Sequence, residues 1–142
     1  MNEHTVSVNV VTPDGLVYDH HARLVTVKTT DGDIGLMANH APIIAPLAID
    51  VVKVRRCDSD DHVDYIAVSG GVIEMKDNLI SIISDSAERE RDIDLPRAER
   101  AKKRAEEAME RAKEAQDVDE EKRAQIALYR AVNRINVSKN LR

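Results

Sequence analysis

Residues 94–115 read DLPRAERAKKRAEEAMERAKEA, and the alanines in that run decide how the chain divides. Ala98, Ala101, Ala105, Ala108, Ala112 and Ala115 recur at spacings of 3, 4, 3, 4 and 3, the period that sets all six on one stripe of an α-helix. Charged side chains fill most of the other faces, with pairs such as Glu99 and Lys103 four residues apart. Asp94 is suited to cap the start of this helix, and Pro96 falls in the first turn, where its missing N–H costs nothing. A second helix is predicted from about Asp117, with Asp117 and Glu120 spaced as in a capping box. It continues through Ala124, Ala127, Leu128, Ala131 and Ile135 on one side. Only a few residues separate the two runs, so they are expected to form an antiparallel hairpin.

Upstream the period changes. Val6, Val8 and Val10 alternate with Ser7 and Asn9, and Thr12-Pro13-Asp14-Gly15 supplies turn chemistry. Further strands are expected at 23–29, 34–37, 43–47, 51–56, 63–68, 71–75 and 79–84. Asp31-Gly32, Asn39 to Pro42, Asp58 to Asp61, Ser69-Gly70-Gly71 and Lys76-Asp77-Asn78 lie between them. Many short β-branched runs between turn signals predict a sandwich or flattened barrel. The fold class is therefore mainly β plus α, with a β domain over 1–87 and a helical hairpin over 88–142.

Composition narrows the possible functions. There is no Phe, no Trp and only three Tyr, so the core must be aliphatic and a stacking platform for single-stranded nucleic acid is not expected. Residues 1–87 carry 13 acidic and 6 basic side chains and residues 88–142 carry 13 and 15, which gives −7 and +2. Cys57 is the one cysteine, and no run has the length of a membrane span or a leader, so a cytosolic protein is expected. His4, His20, His21, His40 and His62 lack ligand spacing, and CxxC, HExxH and calcium-loop patterns are missing, so no metal site is expected. Gly70-Gly71 has no phosphate-loop lysine after it and reads as a tight turn or close backbone packing. With no nucleophile–base pair to nominate, no catalytic residue is assigned.

An alanine seam lets helix axes approach closely but buries little area per residue, so it holds less firmly than leucine. Such a hairpin can be a static element or a switch between packings that differ by a few kcal/mol. Arg97 and Arg104 stand seven apart on the first helix, on the side of Asp94, and Arg130 and Arg134 stand four apart on the second. An antiparallel hairpin gathers these guanidiniums near one end, where they can hold a polyphosphate. The plainer alternative is solvated arginines pairing with Glu88, Glu90 or Asp94.

The chain also resembles the epsilon subunit of bacterial F-type ATP synthase along almost its whole length. The resemblance is carried by VTPDGLVYD at 11–19, DGDIGLMANHAPIIAPL at 31–47, VSGGVIEMKDNLISIISDSAER at 68–89, and the IDLPRAERA entry to the helices at 93–101. It departs from the family at Asp50, where relatives often carry glycine, and at Met37-Ala38, where a proline is frequent. The resemblance implies a ten-stranded β-sandwich followed by a helical hairpin, in a non-catalytic rotor subunit that couples proton flow to ATP synthesis. The implied partners are the gamma subunit, the membrane c-subunit ring and, when the hairpin extends to restrain ATP hydrolysis, the alpha and beta subunits. Nucleic acid is not among them, and membrane association runs only through the complex, at the cytoplasmic face of the bacterial cell membrane.

Exposed turns that include Asn39, His40, Ala41 and Pro42 are the implied rotor contacts. Some members bind ATP in the folded hairpin, and IDLPRA resembles their motif. Carried onto this chain, the site is Glu88, Asp94, Arg97, Arg104, Arg130 and Arg134. No cofactor is required; ATP enters as a regulatory ligand, with the part of magnesium left open. The alternative in a different class is a free-standing, non-catalytic nucleotide-sensing module.

Overall fold

The structure, a computed structural model, describes residues 4–58 and 62–139. It divides into two compact units, Met1–Glu90 and Arg91–Arg142. The first contains seven strands among the described residues: β1 (Val6–Thr12), β2 (Gly15–Thr29), β3 (Gly32–Leu36), β4 (Ile43–Arg56), β5 (Val63–Lys76), β6 (Leu79–Ile83) and β7 (Ala87–Arg89). A turn of 3-10 helix at Glu90–Asp92 follows. The second unit holds α1 (Leu95–Glu114) and α2 (Val118–Ser138).

The expectation of a ten-stranded sandwich is corrected. The strands form one sheet in the order β1-β6-β5-β4-β2-β3, and an additional β1–β2 pairing joins β1 back to β2. Strands β1, β6, β5, β4 and β2 thus close into a five-stranded barrel, with β3 on the edge of β2 and β7 on β5. The strand count falls because residues that normally end strands here lie inside long ones. The runs at 43–47 and 51–56 are both β4, and those at 63–68 and 71–75 are both β5. These two strands pair antiparallel in one register from Ile43↔Met75 to Arg55↔Val63. Asp50 accepts the N–H of Val51 at 2.8 Å within β4, so its turn-forming side chain is satisfied locally without breaking the ladder.

Gly70 and Gly71 do not end a strand either. Their φ angles of 78° and 113° belong to a region L side chains rarely adopt. A Cβ on Gly71 would stand 2.1 Å from the carbonyl oxygen of Ile83, so the glycine permits close passage of β5 against the end of β6. The tight turn comes six residues after Gly71. Asp77 and Asn78, with φ of 52° and 61°, make the two-residue hairpin between β5 and β6.

The alternation of β1 is borne out, with Val6, Val8 and Val10 all buried at 1% exposure or less. They join Val25, Val27, Ile66, Ile73, Met75, Ile80 and Ile82 in a single aliphatic core, to which Tyr18 adds a ring. In the helical unit, buried seam residues fall at Ala98, Ala105 and Ala112 on α1 and at Ala124, Ala131 and Val137 on α2. Asp94 caps α1 by accepting the N–H of Arg97, and Asp117 caps α2 by accepting that of Glu120. Residues 115–117 turn the chain, with Gln116 at φ 55°. Lys139 lies 4.0 Å from Glu99, which sets the end of α2 beside the start of α1 and makes the pair antiparallel. No helix among the described residues is long and apolar enough to cross a membrane.

Candidate functional site

The alanine seam leaves a groove along the hairpin. Its volume is about 410 Å³, within the usual range for ligand sites. The floor is methyl groups of Ala101, Ala105, Ala108, Ala124 and Ala127, and the cationic walls are Arg104 from α1 with Arg130 and Arg134 from α2. The local cause is the pairing of residue sizes: alanine brings the axes together and fills little of the space above them, and arginine stems one position away rise past the gap. Three fixed positive charges therefore border one hollow. The Nε of Arg130 is buried with no hydrogen-bond partner, an uncommon state for a charged donor and one that a phosphate oxygen would relieve. Three guanidiniums around one hollow favour an anionic ligand there.

The other three expected ligand residues are placed differently. Asp94 and Arg97 sit at the start of α1 and do not line the groove; one carboxylate oxygen of Asp94 is already engaged in the helix cap. Arg97 is exposed. Glu88 lies in β7, within the barrel unit. Of the six, Arg104, Arg130 and Arg134 are brought together. Spacing put Arg104 on the side of Asp94, but ten residues, nearly three helical turns, separate them, and the antiparallel return of α2 meets Arg104.

The turn 39–42 is exposed and joins β3 to β4. Asn39 is held in left-handed geometry, φ 66°. Its N–H donates to Asn78 Oδ1 at 2.7 Å, which ties this turn to the β5–β6 hairpin. His40 N–H donates to the Met37 carbonyl at 3.2 Å, and its ring Nδ1 lies 2.7 Å from the Ala41 carbonyl oxygen. Pro42 closes the segment. The result is an exposed turn held by local hydrogen bonds and tied to the β5–β6 hairpin.

A second polar cluster was not legible in the sequence. Asp64 on β5 is 6% exposed. Its Oδ2 accepts the phenolic proton of Tyr18 at 2.5 Å, and its Oδ1 stands 2.9 Å from His62 Nε2 and 3.3 Å from Arg89 NH2. Arg56 NH1 approaches to 3.7 Å, and the Arg89 guanidinium lies 5.1 Å over the Tyr18 ring. Burial works to raise the Asp64 carboxyl, but hydrogen bonds from Tyr18 and His62 and the charge of Arg89 prevail and hold it below its ordinary value. Burial, then the bond to Asp64, pushes the Tyr18 phenol far up. Burial and the charges of Arg56 and Arg89 hold His20 low. The five groups Tyr18, Arg56, His62, Asp64 and Arg89 come from four separate stretches, so no local spacing marks them. The one available signal is an aspartate at an inward position of an alternating strand.

With this geometry in hand, two family models account for nearly the whole chain. The model described as "ATP synthase, Delta/Epsilon chain, beta-sandwich domain" matches residues 5–90, and "ATP synthase, Delta/Epsilon chain, long alpha-helix domain" matches residues 91–139. The chain belongs to the ATP synthase delta/epsilon chain family. Among solved structures, this delta/epsilon chain is similar to a chain of the Euglena gracilis mitochondrial ATP synthase, described as OSCP/F1/c-ring in rotational state 1. The TM-score is 0.73 at 19% identity, over 91% of this chain and 78% of that one. A chain of the Tetrahymena thermophila mitochondrial ATP synthase central stalk/c-ring matches with a TM-score of 0.49 at 15% identity, over 63% and 69%. At 19% identity the first likeness is one of fold. The delta/epsilon chain is a non-catalytic, central-stalk subunit of an ATP synthase.

Proposed function

We propose that this chain is the epsilon subunit of a bacterial F-type ATP synthase and that its helical hairpin restrains ATP hydrolysis, with ATP itself as the regulatory ligand. The observation that carries the reading is the arginine-walled groove set on an alanine seam. Each buried seam alanine contributes about 0.8 kcal/mol, against roughly 1.5–3 kcal/mol for a buried leucine, so the two helices are held lightly. A triphosphate bound between Arg104 and the Arg130–Arg134 pair adds a bridge that exists only while the helices are together. It therefore shifts the population toward the closed hairpin by its differential affinity for that state.

In this account, falling ATP releases the hairpin, and α2 is then free to meet the alpha and beta subunits. The exposed side chains of Val118, Ile126 and Tyr129 give α2 apolar surface for such a contact. The barrel joins the gamma subunit and the membrane c-ring, the latter through the exposed turn of Asn39, His40, Ala41 and Pro42. The protein then works at the cytoplasmic face of the bacterial cell membrane, attached only through the complex. The order and spacing of the sequence blocks at 11–19, 31–47 and 68–101 support the bacterial assignment.

Calorimetry with magnesium ATP tests the ligand. Binding to the full chain should weaken roughly ten- to a hundredfold in Arg130→Ala or Arg104→Ala, the range for losing a charge-assisted contact. Binding unchanged in both variants, or no binding by the wild type at millimolar ATP, overturns the site. Co-purification of the chain with gamma tests the stalk assignment separately.

A further inference from the structure

The last strand of the β unit is also its shortest. Strand β7 has three residues and pairs with β5 alone among the described residues, through Ile66↔Arg89, Ala67↔Glu88 and Val68↔Ala87. The closed barrel does not need it, because β1, β6, β5, β4 and β2 complete the ring by themselves. From β7 the core takes one small side chain, Ala87. Side chains fasten the strand at both ends. At one end Ser69 N–H donates to the Ser86 carbonyl at 3.0 Å and the two hydroxyls lie 2.8 Å apart. At the other, Arg89 reaches Asp64 and covers the Tyr18 ring.

We propose that Arg89, Asp64 and Tyr18 form a latch, and that β7 opens from β5 as a unit while the five-stranded barrel stays closed. The distribution of donors around Asp64 is what makes this possible. A buried carboxylate left unpaired is costly, yet with Arg89 withdrawn Asp64 keeps the Tyr18 hydroxyl at 2.5 Å, His62 at 2.9 Å and Arg56 at 3.7 Å. Arg89, for its part, moves from a 12% exposed position into water. The carboxylate is provided with one partner more than it requires, and the dispensable one sits on the strand least bound to the barrel. Such a strand opens sub-globally, below the free energy of full unfolding.

Opening converts residues 86–92 from mounted structure into tether. Seven residues of extended chain span up to about 23 Å, so opening lengthens the free connection between the strands and the helices. A part for that length in regulation rests on the regulatory reading above; the latch itself does not.

Hydrogen exchange read by mass spectrometry on the isolated full chain tests it without ATP or partners. Three proteins are needed: wild type, Arg89→Gln, and Ser69→Cys with Ser86→Cys in a Cys57→Ser background, which pins β7 by a disulfide. In wild type, amides of 86–90 should exchange faster than those of β1 and β6. Arg89→Gln should speed exchange at 86–90 by roughly ten- to a hundredfold and leave β1 and β6 unchanged. The oxidised disulfide should slow 86–90 to the rate of the barrel and cancel the effect of Arg89→Gln. Unchanged exchange at 86–90 in Arg89→Gln, or equal acceleration of every strand, overturns the latch. Failure of ATP binding or of stalk assembly would leave these results untouched.

Discussion

Replacing Gly71 with alanine tests the passage of β5 across the end of β6, the feature that most changes the architecture from the one expected. The new Cβ would lie 2.1 Å from the Ile83 carbonyl oxygen, 2.9 Å from Ser84 Cα and 3.0 Å from the Ile83 carbonyl carbon. All are backbone atoms, so no side chain can rotate away. Relief requires β6 to retreat by about 1.3 Å to reach ordinary contact. That movement pulls on Ser84, whose N–H donates to the Val11 carbonyl at 3.1 Å. The positive φ costs about 1–3 kcal/mol and the crowding about 1–3 kcal/mol more. The loss is thus a large share of the roughly 5–15 kcal/mol that holds an ordinary domain. Gly15→Ala is the matched control: its φ is 114°, but nothing lies within 4 Å of the added atom, so only the first cost applies. Urea unfolding followed by the near-ultraviolet signal of buried Tyr18 measures both. Equal stability losses in the two variants would refute the argument that β5 and β6 touch through backbone at Gly71.

Three other outcomes follow from the same structure. Ala131→Leu places a larger side chain at a fully buried seam position; the crowding should destabilise the hairpin by about 1–3 kcal/mol in thermal melts of the helical signal. It should also weaken ATP binding by moving Arg130 and Arg134 away from Arg104. Stability should fall in acid as Asp64 is protonated. Its folded-state pKa is depressed, so its contribution is present above the ordinary value of 3.8 and is lost as pH drops through the lower folded value. Tyr18 acts at the alkaline end. Its folded-state pKa is raised, so its contribution is complete below 10.0 and fades as pH climbs above that value. Tyr18→Phe should remove the alkaline loss, as unfolding midpoints against pH will report.

The helical hairpin was legible almost residue by residue, because a 3-4 alanine repeat and two capping aspartates are local signals. Asp94 and Asp117 bond as their spacing foretold. The barrel was legible in its alternation but not in its strand count. Asp50 and Gly70-Gly71 carry the same chemistry whether they end a strand or let it bend, and only the pairing of β4 with β5 decides between them. The groove was half legible. Arginine spacing nominated Arg97 and Arg104 with Arg130 and Arg134, and which of the α1 pair lines the groove depends on where α2 crosses. The Asp64 cluster was invisible because its members meet only after the barrel closes.

The most direct test of the whole account is ATP hydrolysis by the reconstituted synthase, compared between the full chain and a truncation after Asp92, which keeps β7 and Arg89 and removes both helices. Both forms should assemble with gamma and the c-ring, with the truncated complex hydrolysing ATP faster at low ATP and the difference narrowing as ATP rises. Equal rates for the two complexes at every ATP concentration would contradict it.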